Sequence, residues 1–346
     1  MSEALRKLKM ELKGPLSLIL LAVTGILITL PLLVRNPFLI NTLMLSFLFG
    51  FAALAWNLMA GYTGLLSFGH AVFFGIGAYT TMILLLWWRI TPWIGMLAAG
   101  VTAGLVGFVI GIPFTRLRSH WFALGTLALG EVVQIIFINW RAVGGARGLE
   151  TPIMPQCLYW LNFVDPTVHY YVIMGLLGVE LFILYLIVNG RIGYYLQAIR
   201  EDETAAMALG INPFKYKLIS ITISAFLTGI AGGFYTARFG YVDPFSVFGM
   251  MYISINISII GILGGIYSLI GPLIGALVFV PAAEYTRAYI GSHFGARFYG
   301  IHLVAFGIIL LAVCFIVPDG IMGWVERRGY IRAILGHGEE GVGGGE

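Results

Sequence analysis

The sequence predicts an all-α integral membrane protein with about ten transmembrane helices, Gly-rich breaks and one short cytoplasmic helix. Hydrophobic residues fill 59% of the 346 positions and charged residues only 10%, an apolar content far above what one soluble core needs. Many apolar runs reach roughly 20 residues, which as a helix cross a hydrocarbon layer of about 30 Å. Helices are expected because a lone strand would leave its backbone groups unpaired in lipid.

Ten apolar runs are the candidate spans, at residues 16–34, 38–60, 71–88, 93–114, 120–138, 168–189, 217–237, 250–265, 270–288 and 300–317. The first run follows a basic N-terminus, as a signal peptide does, but no small-residue cleavage site follows it, so we expect a retained span. The stretch 250–288 is predicted to cross twice. Gly264-Gly265 and Gly271-Pro272 interrupt it, and a single crossing would place the basic tail outside.

The distribution of cations predicts the orientation. With the N-terminus inside, seven of the 20 Lys and Arg residues fall outside, which leaves 20 − 7 = 13 inside; the positive-inside rule favours this arrangement. It puts both termini and the charged loop (residues 190–217) in the cytoplasm, and the outer loop (residues 139–167) on the other side. Residues 1–325 are then one polytopic domain, and 326–346 are a Gly-rich cytoplasmic tail, in which the acidic stretch after Ile334 has nothing to bury and is expected to be disordered.

Composition and motifs exclude several classes of function. The net charge of +4 comes from cations beside apolar spans, so the expected partner is the lipid bilayer and not nucleic acid. The sequence holds no phosphate-binding loop, zinc-protease motif or nucleophile elbow. Cys157 and Cys314 have no metal-ligand spacing and are interpreted as structural. We therefore predict no catalytic residue, no metal site and no cofactor in this chain.

The charged loop holds seven charged side chains between Arg191 and Lys217. Within it, Asp202 is a plausible N-cap, Gly210 a plausible helix end, and Pro213 prevents continuation. The helix face between them carries Ala205, Ala206 and Leu209. Two interpretations remain open from periodicity alone: a docking knob for a water-soluble partner, or an amphipathic helix lying at the headgroups.

The Gly-rich segment Asn57–Tyr79 has five glycines within 17 residues, interspersed with hydroxyl groups and one histidine. Non-helical backbone at membrane depth requires protein or water to satisfy it, so the segment is predicted to line a pathway; close helix packing through small residues is the alternative. Of the carboxylates within spans, Glu131 is predicted to line the pathway, with a hydrogen bond between helices as its alternative role, while interface pairing explains Glu180 and Glu284 equally well. The predicted pathway residues are Asn57, Gly61, Thr63, Gly64, Ser67, Gly69, His70 and Glu131.

Three stretches together resemble a known family. They are Asn57–Tyr79, residues 190–217 with the core AIREDETAAMALGIN, and Ile262–Ala276 with the late FIVPDGIMG. This combination is similar to the permease subunits of bacterial ABC importers for branched-chain amino acids, and among them to the M-type subunit. The likeness runs from about residue 38 to residue 325. Residues 266–270 depart from the commoner glycine and tryptophan pattern, and Thr204 stands where the family's coupling pattern begins with Glu.

The resemblance implies a permease of the bacterial inner membrane that forms half of a translocation pathway. It implies a homologous second permease as heterodimer partner, two cytoplasmic ABC ATPases that bind ATP and Mg²⁺, and a periplasmic or extracellular substrate-binding protein. The short cytoplasmic helix then becomes the coupling helix, with the residues Arg200, Glu201, Asp202, Glu203, Ala205, Ala206, Leu209 and Gly210. An importer of urea or short amides is the alternative substrate class. An autonomous ion-coupled carrier is the alternative from another class, but it gives no reason for the charged loop.

Overall fold

The computed structural model describes residues 25–34, 36–117, 119–152, 154–294, 307 and 320–327. Within them, eight helices are long and apolar enough to cross a membrane. The helices are α1 (residues 25–33), α2 (Pro37–Thr63), α3 (His70–Trp88), α4 (Pro92–Phe114), α5 (Ser119–Asn139), α6 (Pro166–Val188), α7 (Arg191–Glu201), α8 (Glu203–Ala208), α9 (Pro213–Phe239), α10 (Pro244–Val247), α11 (Asn256–Gly264), α12 (Gly271–Phe294) and α13 (Gly320–Arg327). A π-helical turn, Met250–Ile255, joins α10 to α11.

Four helices begin with the same capping motif, an Asn or Asp N-cap followed by proline. The side chains of Asn36, Asp165, Asn212 and Asp243 each accept a hydrogen bond from a backbone N–H in the first turn of α2, α6, α9 and α10. The proline that follows lacks an N–H, and its ring presets φ for the helix. These starts are therefore determined by neighbouring residues in the sequence.

The centre of the bundle is α9, which packs against α3 and α4 through small residues. A Cβ on Gly77 would lie 2.1 Å from the main-chain oxygen of Gly229, and one on Gly232 would lie 1.9 Å from that of Phe74. Such distances allow only glycine, so the helix backbones approach closely without a side chain between them. On the other flank α2 packs against α6, α11 and α12.

The stretch 250–288 belongs to two helices that are each long and apolar enough to cross a membrane, as predicted. Helix α11 ends at Gly264 and α12 begins at Gly271. A Cβ on Gly264 would lie 1.9 Å from the main-chain oxygen of Gly271, and Gly265 adopts a φ of +116°, so the tight reversal depends on glycine. The preceding crossing starts at Pro244, six residues earlier than the predicted 250, because α10 and the π-helical turn extend it.

Eight of the ten predicted spans correspond to these eight helices, with small shifts at the ends. For the first predicted span, 16–34, only the residues from 25 onward are described, and 25–33 are helical. The tenth, 300–317, and the tail after residue 327 lie outside the described residues, residue 307 excepted. Ten spans therefore stay a prediction, while a multi-pass, all-α membrane architecture is confirmed.

The outer loop is folded onto the end of the bundle opposite the charged loop. It contains two short 3₁₀ turns and a strand, β1 (Leu149–Glu150), which pairs antiparallel with β2 (Tyr241–Val242) in the register Leu149 to Val242. Thr151 N donates to Gly240 O at 2.8 Å, and Trp93 Nε1 donates to Leu158 O at 2.9 Å. These bonds hold the outer loop over the ends of α4 and α9.

Candidate functional site

The charged loop forms two helices and not one. The sequence predicted one short helix between Asp202 and Gly210, which is α8, and the structure adds α7 before it: α7 ends at Glu201 and α8 starts at Glu203. Asp202, between them, has an extended backbone with φ −156° and ψ 112°. That conformation is the one an N-cap requires, so the capping residue identified from sequence is also the reason why the helix is interrupted.

Asp202 caps α8 through its carboxylate. Its Oδ1 accepts hydrogen bonds from Thr204 N at 2.8 Å, Thr204 Oγ1 at 2.6 Å and Ala205 N at 3.0 Å. These bonds, led by the one from the Thr204 hydroxyl, lower the pKa of the Asp202 carboxyl. The other end of α8 is closed by Gly210 with a φ of +82° and by Ile211 N donating to Ala206 O at 3.0 Å. The predicted cap and helix end are confirmed.

The apolar face predicted for this helix is divided between two environments. Ala206 is only 2% exposed and packs inward, whereas Leu209 is 79% exposed and Met207 51% exposed. Ala205 is exposed as well. The prediction that Ala206 shares one apolar face with Ala205 and Leu209 is therefore wrong, because the side of α8 that carries Ala206 rests on the bundle while the other two residues are exposed. Ala205, Met207 and Leu209 form what we call the docking surface.

An ion pair fixes α8 to the bundle. Lys217, on the first turns of α9 and only 5% exposed, donates from Nζ to Glu203 Oε2 at 2.6 Å. A nearly buried ammonium group needs a partner of opposite charge. The ion pair with Lys217 therefore holds Glu203, and with it the start of α8, against α9. The sequence analysis did not single out Lys217, because it is the last residue of the charged loop and the first residue of the predicted span 217–237.

Arg200 extends from α7 into the bundle. Its Nη1 donates to the main-chain oxygen of Gly61 at 2.9 Å, and its guanidinium lies 4.7 Å from the ring centroid of Tyr267. It also forms an ion pair with Glu201. Gly64, with φ +74°, lies against the same side chain, since a Cβ there would be 3.1 Å from Arg200 Cγ. One residue thus joins the charged loop, the end of α2 and the reversal between α11 and α12.

Four polar residues of the Gly-rich segment, Asn57, Thr63, Ser67 and His70, are buried in the bundle and form hydrogen bonds there. Asn57 Nδ2 donates to Ser268 O at 2.9 Å, and Thr63 Oγ1 donates to Ser220 Oγ at 2.9 Å. The other polar contacts of the segment are the 2.8 Å bond between His70 Nε2 and Ser224 Oγ, the 3.3 Å bond between His70 Nδ1 and Ser67 Oγ, and the bond from Trp56 Nε1 to Ser67 O. His70 is therefore a satisfied core histidine. Ser220 and Ser224, missed from sequence, show the i, i+4 spacing of one helix face.

The glycines of this segment are contact points. A Cβ on Gly61 would lie 2.0 Å from Ile266 O, and one on Gly69 would lie 2.8 Å from Thr126 O. The alternative weighed from sequence, close packing through small residues, accounts for these distances. That Asn57, Gly61, Thr63, Gly64, Ser67, Gly69 and His70 line a pathway stays a prediction, since in this conformation all of these residues except Gly64 are buried.

The three intramembrane carboxylates differ in environment. Glu131 is exposed on α5, while Glu180 is 1% exposed and neither of its oxygens has a hydrogen-bond partner in the described part of the chain. Glu284 forms an ion pair with Arg287 on the same helix, which is a pairing within one helix and not the interface pairing considered for it. Among the described residues, no group of three His, Cys, Asp or Glu could hold a metal ion.

Helices long and apolar enough to cross a membrane, with two short helices standing off one end of the bundle, define a polytopic membrane protein. A family model described as "Branched-chain amino acid transport system / permease component" matches residues 38–317. The chain belongs to this family, and the resemblance identified from sequence is confirmed.

Individual relatives agree with this assignment. The chain is 30% identical over 268 residues to the high-affinity branched-chain amino acid transport system permease protein LivM of Escherichia coli K12, a match that covers 71% of this chain and 63% of the relative. LivM of Salmonella typhimurium is 29% identical, with 79% of this chain and 69% of the relative covered. Escherichia coli K12 LivH is 23% identical, with 83% and 94% covered. The match thus spans under two thirds of the length of the first relative.

Proposed function

We propose that this chain is the translocation subunit of an ATP-driven importer and forms half of a pathway for branched-chain, neutral and hydrophobic amino acids. Its family membership supports the proposal, as does the architecture of the charged loop. The docking surface, Ala205, Met207 and Leu209, is exposed and apolar at the end of a rigidly capped helix. A protein surface of this kind, away from the spans, suits burial by a water-soluble partner.

In this proposal the chain carries no ATPase site, and its energy comes through contact. Two cytoplasmic ATPases bind ATP and Mg²⁺ and press on the docking surface. A homologous permease forms the other half of the pathway, since relatives of both the LivM and LivH kinds match this chain. A periplasmic or extracellular binding protein delivers the amino acid. The chain lies in the bacterial inner membrane, with the charged loop and both termini cytoplasmic.

The single observation that carries the coupling role is the reach of Arg200 from the charged loop to Gly61 O and the Tyr267 ring. A displacement of α7 by a docked ATPase moves the end of α2 and the reversal after α11 through this side chain. Coupling requires such a physical connection between two sites with different states.

The proposal is tested by reconstituting the chain with its second permease, both ATPases and the binding protein in vesicles that contain ATP. Leucine should accumulate, ATP hydrolysis should rise when loaded binding protein is added, and omission of the ATPases should abolish both. Uptake by the chain without any ATPase would establish the autonomous carrier instead. Uptake of urea in place of leucine would establish the alternative substrate class.

A further inference from the structure

A cavity lies at the end of the bundle opposite the charged loop, between the outer loop and the ends of α3, α4 and α9. Its volume is about 150 Å³, the size at which an engineered apolar cavity holds a molecule of benzene. We call it the outer cavity. It is separate from Arg200 and from the docking surface, and none of the predicted pathway residues lines it.

Arg238, in the last turn of α9, lines the outer cavity and has few partners of its own. Its Nη2 donates to Asn41 Oδ1 at 3.3 Å, while its Nε is buried without a hydrogen-bond partner in the described part of the chain. None of the described carboxylates lies within the 4.0 Å of an ion pair from this guanidinium. An arginine has five N–H donors in a planar arrangement that matches a carboxylate, and the described residues use only a small part of this capacity.

The nearest acidic group is engaged elsewhere. Asp165 lies close enough to Arg238 to interact with it electrostatically, but its Oδ1 caps α6, accepting from Thr167 N at 2.9 Å and from Thr167 Oγ1 at 2.7 Å. Those hydrogen bonds, with a smaller contribution from Arg238, lower the pKa of the Asp165 carboxyl. Asp165 therefore offsets part of the charge of Arg238 without forming a hydrogen bond to it. The terminal N–H groups of the Arg238 guanidinium stay available to a ligand.

The rest of the lining combines polar groups with apolar surface. Asn162 donates from Nδ2 to Met154 O at 2.7 Å, which leaves its Oδ1 as an acceptor, and the Thr151 hydroxyl bonds Gly240 O at 3.2 Å. Leu85, Met154 and Trp160 supply the apolar part. A cation, an amide acceptor and a hydrophobic wall within one small cavity are complementary to a carboxylate, an ammonium and an aliphatic side chain.

We propose that the outer cavity is a binding site for a free neutral aliphatic amino acid, held through its carboxylate by Arg238. The inference rests on the proposed function for the identity of the ligand. It adds a substrate site within this chain, between the delivering protein and the pathway. The same carboxylate chemistry could come from an acidic side chain of a docked protein, and the experiment separates the two sources.

The experiment measures binding of radiolabelled leucine to the complete permease and ATPase complex in nanodiscs, without binding protein and without ATP. We expect saturable binding, and we expect leucinol, which has the same side chain and amine but no carboxylate, to compete at least tenfold less well. Arg238→Gln should weaken leucine binding at least tenfold, and Arg238→Lys should weaken it less. Arg147→Gln, which removes an exposed charge from the outer loop, is the matched control and should bind as the wild type does.

Equal competition by leucine and leucinol in the wild-type complex would overturn the proposal, and this comparison needs no variant that has to fold. Unchanged leucine binding in Arg238→Gln would overturn it too. If leucine did not bind but the binding protein docked tenfold more weakly to Arg238→Gln than to Arg147→Gln, the carboxylate would belong to the partner and the amino acid site would be wrong. Leucine uptake by the wild-type complex is measured in parallel. Uptake without detectable binding at the outer cavity would contradict the binding site and leave the proposed import function intact.

Discussion

Arg200 and Gly61, 139 residues apart in the chain, are joined by a 2.9 Å hydrogen bond from the Arg200 Nη1 to the Gly61 main-chain oxygen. Gly61 stands at the end of α2, beside Gly64, where the helix stops with a left-handed residue. The bond satisfies one of the carbonyl groups that a helix end leaves open. It also makes the position of α7 dependent on the position of α2, which is the connection a contact-driven transporter requires.

The first prediction is that Arg200→Lys uncouples ATP hydrolysis from transport. Lysine keeps the charge but has neither the planar fork nor the stacking surface that lies over Tyr267. The ATPases should still co-purify, because the docking surface is untouched, while leucine uptake per ATP hydrolysed falls at least tenfold. Arg191→Lys, an exposed position at the start of α7, is the control. Equal coupling in the two variants would remove Arg200 from the proposed route.

The second prediction distinguishes the two sides of α8. Leu209→Glu places a charge on the docking surface and should abolish co-purification of the ATPases from a folded chain, because a buried interface would hold that charge unpaired. Leu158→Glu introduces the same change at an exposed leucine of the outer loop and should leave co-purification intact.

Ala206→Glu should act differently, and this corrects the expectation that Ala206 contacts the partner. Its side chain is buried against the bundle, so the substitution should displace α8 and increase cleavage of the charged loop by a protease even in the absence of ATPases. If the charged loop of Ala206→Glu were cleaved no faster than that of the wild type, and the variant still failed to bind the ATPases, Ala206 would belong to the docking surface.

A third prediction concerns packing in the Gly-rich segment. Gly61→Ala should lower the melting temperature of the purified complex by several degrees, because overpacking costs about 1–3 kcal/mol and the new methyl would meet Ile266 O and Asn57 Oδ1. Gly130→Ala, in the middle of α5 with nothing within 4 Å, is the matched control and should be neutral.

Gly64→Leu and Gly69→Leu test the pathway prediction itself. The sequence predicts that either variant assembles into a complex but does not transport the amino acid. If both variants transport normally, the segment neither packs closely nor lines a pathway; if both fail to fold, the close-packing interpretation accounts for the whole segment.

The fourth prediction is that Glu131 faces protein or water within the membrane. An ionisable side chain in a span is rarely exposed to lipid, yet Glu131 is exposed in the isolated chain. Glu131→Cys should react with a membrane-impermeant maleimide or cross-link to the second permease, whereas Leu105→Cys, 60% exposed on α4, should do neither. Equal, negligible labelling at both positions would mean that Glu131 faces lipid.

The fifth prediction is the orientation. A reporter fused after Gly210 should lie in the cytoplasm and one inserted near Pro155 should lie outside, following the distribution of cations. The structure places these two segments at opposite ends of the bundle, so a single reversed result would contradict the arrangement. Finding position 210 outside would also remove the proposed site for the ATPases.

The sequence by itself determined the features that neighbouring residues control. Length and apolarity of the runs predicted eight spans that the structure contains, and the break at Gly264–Pro272 was correct because glycine and proline act locally on the backbone. Asp202 and Gly210 were identified as the boundaries of α8 for the same reason. Motif order then identified the family.

Only the tertiary structure decided which of these residues meet. Periodicity could not show that Ala206 faces inward, that Arg200 reaches Gly61 and Tyr267, that Asn57 Nδ2 bonds Ser268 O, or that His70 is satisfied within the core. The same limit applies to Arg238, whose lack of an ion pair with any described carboxylate became visible only when the outer loop was folded over α9. Hydrogen bonds and ion pairs between distant segments depend on helix packing, and the packing of small residues sets distances that no local pattern encodes.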